Sequence, residues 1–221
     1  GKNTLSAGRD ARIAAGEISG VYKLTLAAST AGAGLQSFTA DGISGTEYAD
    51  SVSIGANCTF AAAGGIDLLD GLNTFSAGAN SAVTVGGGIS GIYKLSVASS
   101  AAFAVAGGLS GTASADTVSI GKSSAVSFAS IDLKEGMNKI ELGASASLSV
   151  FGQLSGADTL TLGGNASLSA GSVSGIRSAR LGAGTAVGGA QLWTCLDADA
   201  VDFDSGSGIP SLILDDHSRI R

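Results

Sequence analysis

One histidine, two cysteines and 18 carboxylates are the main material this chain offers for acid–base, nucleophilic or metal chemistry. His217 stands in "LDDHSRIR" near the end of the chain, where side chains are most often solvated. A serine triad or a histidine-based metal site would rest entirely on that one residue, and neither is expected. The densest acidic run, "CLDADAVDFDSGSG", carries Asp197, Asp199, Asp202 and Asp204. Alternating aspartates hold calcium through carboxylate oxygens, but this spacing misses the EF-hand loop, and a solvated acidic edge is the competing reading. No catalytic, cofactor or metal residue is assigned.

The remaining mid-chain acids, Asp67, Asp70, Asp132, Glu135 and Glu141, are sparse and sit in text that occurs more than once. Sugar hydrolysis needs two carboxylates roughly 5 to 10 Å apart, and a unique site should not be duplicated. A polysaccharide lyase or hydrolase would therefore have to place its site within residues 29 to 49 or in the acidic run. Glycine strings such as "GGGISG" at 86 resemble nucleotide loops, but no capped helical segment follows any of them, so corner glycines are the better reading.

The elements that must position these residues follow from composition and period. Hydrophobic residues make up 44% of the chain, enough to fold, yet only 5% are aromatic and 35 of 221 are glycine, which excludes a large core of bulky side chains. The formal charge is −6 with no Lys/Arg cluster, so nucleic acid is a poor partner. No apolar run approaches the roughly 18 residues that span a bilayer. The opening "GKNTLSAG" lacks signal-peptide order and begins inside a repeat, so a longer parent chain is expected.

Ten lines fall into register on Leu5, Leu24, Val52, Phe75, Leu95, Val118, Ile140, Leu160, Ala179 and Val201, with a mean spacing of about 22 residues. A second apolar or small residue follows two positions later, the period of a strand with one buried face. Eight residues after the anchor a second strand begins, at Ile13, Phe60, Val83, Phe103, Val126, Leu148, Leu168, Val187 and Ile209. The line from Leu24 lands on Gly32 instead, which predicts an extra loop over residues 29 to 42. A third apolar position follows at Ile18, Ile43, Ile66, Ile89, Leu109, Ile131, Leu154, Val173 and Leu192.

Hairpins would not restore the same face order every 20-odd residues, so each line is one rung of a coil. The expectation is an all-β, single-stranded parallel β-helix (solenoid), right-handed by the crossover preference, with about ten rungs of roughly 20 to 22 residues. It covers residues 1–209, with 210–221 as a C-terminal tail or partial cap. A longer period, as in "GVYKLTLAAS" at 20 and "GIYKLSVASS" at 91, divides it into three-rung units of about 2–71, 72–136 and 137–198 plus a final rung. Glycines after the first strand, among them Gly55, Gly78 and Gly121, are read as corners needing positive φ. Asn3, Asp50, Asn73, Asp116, Asn138, Asp158 and Asp199 form a column two residues before the anchor, interrupted by Tyr22, Tyr93 and Arg177. Such side chains bond to turn amides, with a metal or catalytic column as the alternative.

Two further expectations follow. Cys58 and Cys195 lie six rungs apart, about 29 Å on the stacking distance, and should be free thiols. A Ser/Thr column on the outward first strand is broken by Lys23, Lys94, Lys139, Glu141 and Arg180, which disfavours ice binding.

The lines "NTLSAGRDARIAAGEISG", "NASLSAGSVSG" and "ADTLTLGGNASLSAG" resemble the repeats of large secreted bacterial β-helix proteins, namely filamentous-haemagglutinin-like adhesins and autotransporter passenger regions. The resemblance covers residues 1 to about 209. It implies an extracellular or cell-surface rod, not an enzyme, that contacts host-cell or bacterial glycans or proteins, with neighbouring coils of a longer parent chain. A carbohydrate-active β-helix is the alternative. In either case an open stack has unpaired strand edges that something must cover.

Overall fold

Alternating side chains drive each short segment into a strand, and glycine and Asn/Ser corners end it, so that strands run from two to nine residues. The computed structural model describes residues 2–30 and 36–181, together with the backbone of strands at 191–195, 201–202, 211–214 and 218–220. The chain is all-β, with parallel ladders stacked as a β-solenoid of about eight turns, fewer than the ten expected. Among the described residues no helix is long and apolar enough to cross a membrane.

Three faces wind around one core. The first runs through Asn3–Ala7, Val21–Leu26, Ser51–Ile54, Asn73–Ala77 and their successors to Ser178–Leu181. Its anchors stack as predicted, Leu5 on Leu24 on Val52 and onward through Leu160 to Ala179. The second face carries Arg12–Ala14, Gln36–Ala40, Cys58–Ala62 and so on, and the third is built of segments such as Ile66–Asp67 and Ile131–Asp132. Leu24, Val118, Ile140 and Leu160 are fully buried or nearly so, and the third-face column Ile43, Ile66, Ile89 and Leu109 is 1 to 3% exposed.

Aromatic residues fill the core from Phe38 to Phe128. Phe38, Phe60, Phe75, Phe103 and Phe128 are all at most 1% exposed and form a continuous staircase with ring centroids 5.5 to 6.0 Å apart. The first pair, Phe38–Phe60, is stacked, the next two are edge-on and the last, Phe103–Phe128, is tilted at 49°; offset and edge-on contacts are the favoured geometries of aromatic quadrupoles.

Three expectations need correction. The loop predicted over residues 29 to 42 contains a second-face strand, Gln36–Ala40, with Phe38 filling the column between Ile13 and Phe60. The insertion displaced the strand by six residues from its usual offset, so a fixed offset landed on Gly32 and missed it. Near the C-terminus, Val201 pairs with Val173 on the third face and Leu192 with Ser167 on the second. First-face pairing resumes at Ser211–Leu214 against Ser178–Leu181, a rung of 33 residues (211 − 178) that no 22-residue offset could follow. Val187 and Ile209 lie outside the described residues.

The glycine corners also work differently from the expectation. Gly78 and Gly121 do not adopt positive φ; that conformation falls two residues later, at Asn57, Asn80, Ser100, Ser123, Ser145 and Asn165, with φ of 55° to 59°. The glycines are needed for room. A Cβ on Gly78 would lie 2.5 Å from the amide nitrogen of Ala56, and one on Gly121 2.7 Å from the carbonyl carbon of Ala98. Successive rungs thus touch backbone to backbone at this corner.

Candidate functional site

The polar column before the first face is internal. Asp50, Asn73, Asp116 and Asn138 are at most 1% exposed. Thr46 donates to Asp50 through its N–H at 2.6 Å and its hydroxyl at 2.5 Å, and Thr112 does the same to Asp116 at 2.8 and 2.6 Å. The main-chain N–H groups of Asp50 and Asp116 donate in turn to Asn73 Oδ1 and Asn138 Oδ1, each at 2.7 Å. Asn138 N–H continues the chain to Asp158 Oδ2 at 2.8 Å, and Asp158 ends it on Arg177 at 3.1 Å. Burial pushes the Asp116 carboxyl above its ordinary range against the pull of the Thr112 hydrogen bonds. The corner reading therefore holds, with bonds running between rungs as well as within turns. No group of three potential metal ligands occurs among the described residues.

The interruptions have their own surroundings. Tyr22 carries the Lys2 ammonium over its ring at 5.2 Å, a cation–π placement. On the outward first face Lys139 pairs with Glu141 at 3.3 Å, within the broken Ser/Thr column.

A groove of about 760 Å³ runs along the third face. Its floor is Gly42, Gly65, Gly88 and Gly108, and its charged lining is Glu17, Asp41, Asp67, Asp132 and Lys134. The outward third-face column reads Ser44, Asp67, Ser90, Ser110, Asp132, Ser155, so a carboxylate recurs at every third rung. Three rungs place Asp67 and Asp132 about 14 Å apart on the stacking distance. Ser90 donates to Asp67 at 2.7 Å. Lys134 donates to Asp132 through both its N–H at 3.1 Å and its ammonium at 2.9 Å, and this hydrogen bonding holds the Asp132 carboxyl below its ordinary range.

Of the acids singled out in the sequence, the structure therefore brings Asp67 and Asp132 to one groove but not to one another. Asp70 and Glu135 are exposed in turns outside it, and Glu141 lies on the first face. Asp197, Asp199, Asp204 and His217 lie outside the described residues, and for Asp202 only the backbone pairing with Ser174 is described. The groove itself was missed in the sequence. Its signal was the dipeptide column Ile43-Ser44, Ile66-Asp67, Ile89-Ser90, Leu109-Ser110, Ile131-Asp132, in which one outward position changes from Ser to Asp every third time.

Cys58 points inward as its parity predicted. Its thiol lies 3.2 Å from the Ala27 carbonyl and 3.4 Å from that of Ala56, and it forms no disulfide. The side chain of Cys195 is outside the described residues. Compared with protein-family models, curated proteins and solved structures, the chain matches none.

Proposed function

We propose that this chain is a non-enzymatic structural and interaction segment of a bacterial surface or secreted adhesin-like protein, a rod that works outside the cell by presenting its faces to glycans or proteins. The observation that carries the reading is how the acids are used. Those of the corner column are committed to backbone and threonine donors inside the stack, and the two carboxylates of the outward third-face column, Asp67 and Asp132, stand too far apart for paired acid and base at one glycosidic bond. The one lysine lining the groove, Lys134, is already paired with Asp132. What remains is a long, chemically repetitive surface suited to many weak contacts.

A glycan array probed with the 221-residue chain tests the reading directly, with retention of a defined glycan class as the expected result. The groove favours a second reading, a carbohydrate-active β-helix, because its third face is open and carries acids with a lysine. Release of new reducing ends or unsaturated products from pectin or alginate panels, abolished by Asp132→Asn, would replace the first reading with the second.

A further inference from the structure

Phe151 is 73% exposed, the most open aromatic ring among the described residues. It sits at the corner where the second face passes into the third, a position held on earlier rungs by Ala63, Gly86, Ala106 and Ala129. Along the same side of the rod lies a shallow trough of about 580 Å³, bordered by the Phe151 ring and lined by Ala61, Ala63, Thr84, Gly86 and Ala104. The only charged residue lining it is Asp41, near its N-terminal end. Short of that corner, the outward residues of the second-face segments from Ser37 to Ser169 are alanine, serine and threonine only. The other two faces carry lysines and acids.

We propose that the second face is a self-association surface on which two copies of the chain pack antiparallel about a two-fold axis perpendicular to the rod, each inserting Phe151 into the other's trough. The face carries both a knob and a hole, displaced along the axis by three to four rungs. A two-fold copy engages both at once, as an isologous interface requires, whereas an unrelated partner leaves one of them unused. The axis perpendicular to the rod keeps the Phe151 corner of one copy over the same corner of the other, where Ala63, Gly86 and Ala106 leave room for a ring.

The contact area fits a dimer at the weak end of the range. Seven rungs at about 4.8 Å and four to five residues at about 3.3 Å give roughly 500 Å² per copy. The total, about 1,000 Å², is close to the minimum for a specific interface, so the dimer should dissociate in the micromolar range or above. An exposed aromatic in a small-residue pocket is the usual anchor of such contacts.

Sedimentation velocity and light scattering of the full 221-residue chain, from about 1 μM to about 1 mM, test this. A monomer–dimer equilibrium that added salt leaves unchanged or strengthens is expected. Phe151→Ala and Ala104→Glu should each weaken it at least about tenfold, the second by facing like charges across the two-fold axis. Met137→Ala, on a different corner, should have no effect. Both weakening variants change exposed side chains, and unaltered thermal melts by circular dichroism separate lost association from lost folding. A monomer at every concentration overturns the proposal. So does association that survives both variants, or that salt disperses, since either points to the rod ends or the charged groove.

Discussion

Asn138 Oδ1 accepts the main-chain N–H of Asp116 at 2.7 Å from 22 residues away, while its amide donates to the carbonyls of Leu133 at 2.9 Å and Gly156 at 2.8 Å. One fully buried side chain thus joins three successive turns. Asn73 repeats the arrangement with Asp50, Leu68 and Gly91. Solenoid rungs are otherwise held only by nearest-neighbour ladders and the core, so this side chain acts as a cross-rung clamp.

Asn138→Ala removes one acceptor and two donors at a fully buried position, and it should lower stability by about 3 kcal/mol. The urea midpoint should fall with little change in slope. Asn138→Asp supplies the acceptor but no donor at neutral pH. It should be at least as destabilising as the alanine at pH 7 and recover partly in acid, when the buried carboxyl takes up a proton and can donate. A variant insensitive to acid would show that the donated bonds contribute little.

The corner after the first strand gives a contrast within three residues. Gly121→Ala drives a methyl to 2.7 Å from the Ala98 carbonyl carbon, against backbone that cannot rotate away, and should cost at least about 2 kcal/mol. Ser123→Gly, at φ 58°, removes a strained side chain and should stay within about 1 kcal/mol of the parent. Reversed effects in chemical denaturation would restore the reading in which the glycine serves φ.

Much of this architecture is legible in the residues, because a parallel stack places like on like. The run from Leu5 to Ala179 is correctly in register from spacing alone, and the inward parity of Cys58 follows from it. What spacing cannot reveal is anything set by contacts between rungs. Glycine text looks the same whether it serves φ or clearance, and the choice at Gly121 depends on Ala98, a residue of the preceding rung. Phe38 was hidden by an insertion, and the third-face groove by the absence of side chains on its floor. The clamp at Asn138 was visible as a column of Asn and Asp, but not the direction of its bonds.

The phenylalanine staircase runs from Phe38 to Phe128 through the core of the rod. Phe75 contacts Phe60 and Phe103 edge-on, at 6.0 and 5.5 Å. Phe75→Ala should therefore cost about 3 to 5 kcal/mol. Leu160→Ala, outside the staircase but equally buried, should cost about 2 to 5 kcal/mol. Hydrogen exchange on the Phe75 variant should show protection lost first on the rungs from Phe60 to Phe103. Uniform loss along the rod would mean that the stack unfolds as a single unit.

Cys58 offers a test of the core by titration. It is 1% exposed, and burial pushes its thiol above the ordinary value. A group whose pKa is higher in the folded than in the unfolded chain contributes stability that is complete below the unfolded value and is lost as pH rises through the folded one. The rod should therefore hold its stability up to the ordinary thiol range, about pH 8.5, and lose some of it above. In a Cys195→Ser background, Cys58 is the single thiol, so a charged thiol reagent at pH 8 reports on it alone. Labelling should be slow in buffer, rise steeply across the urea transition, and follow the unfolded fraction. Cys58→Ala should flatten the alkaline side of the stability profile while lowering the plateau, because the thiol fills space between Ala27 and Ala56. Labelling as fast in buffer as in urea would place Cys58 at the surface and break the inward register of the second face.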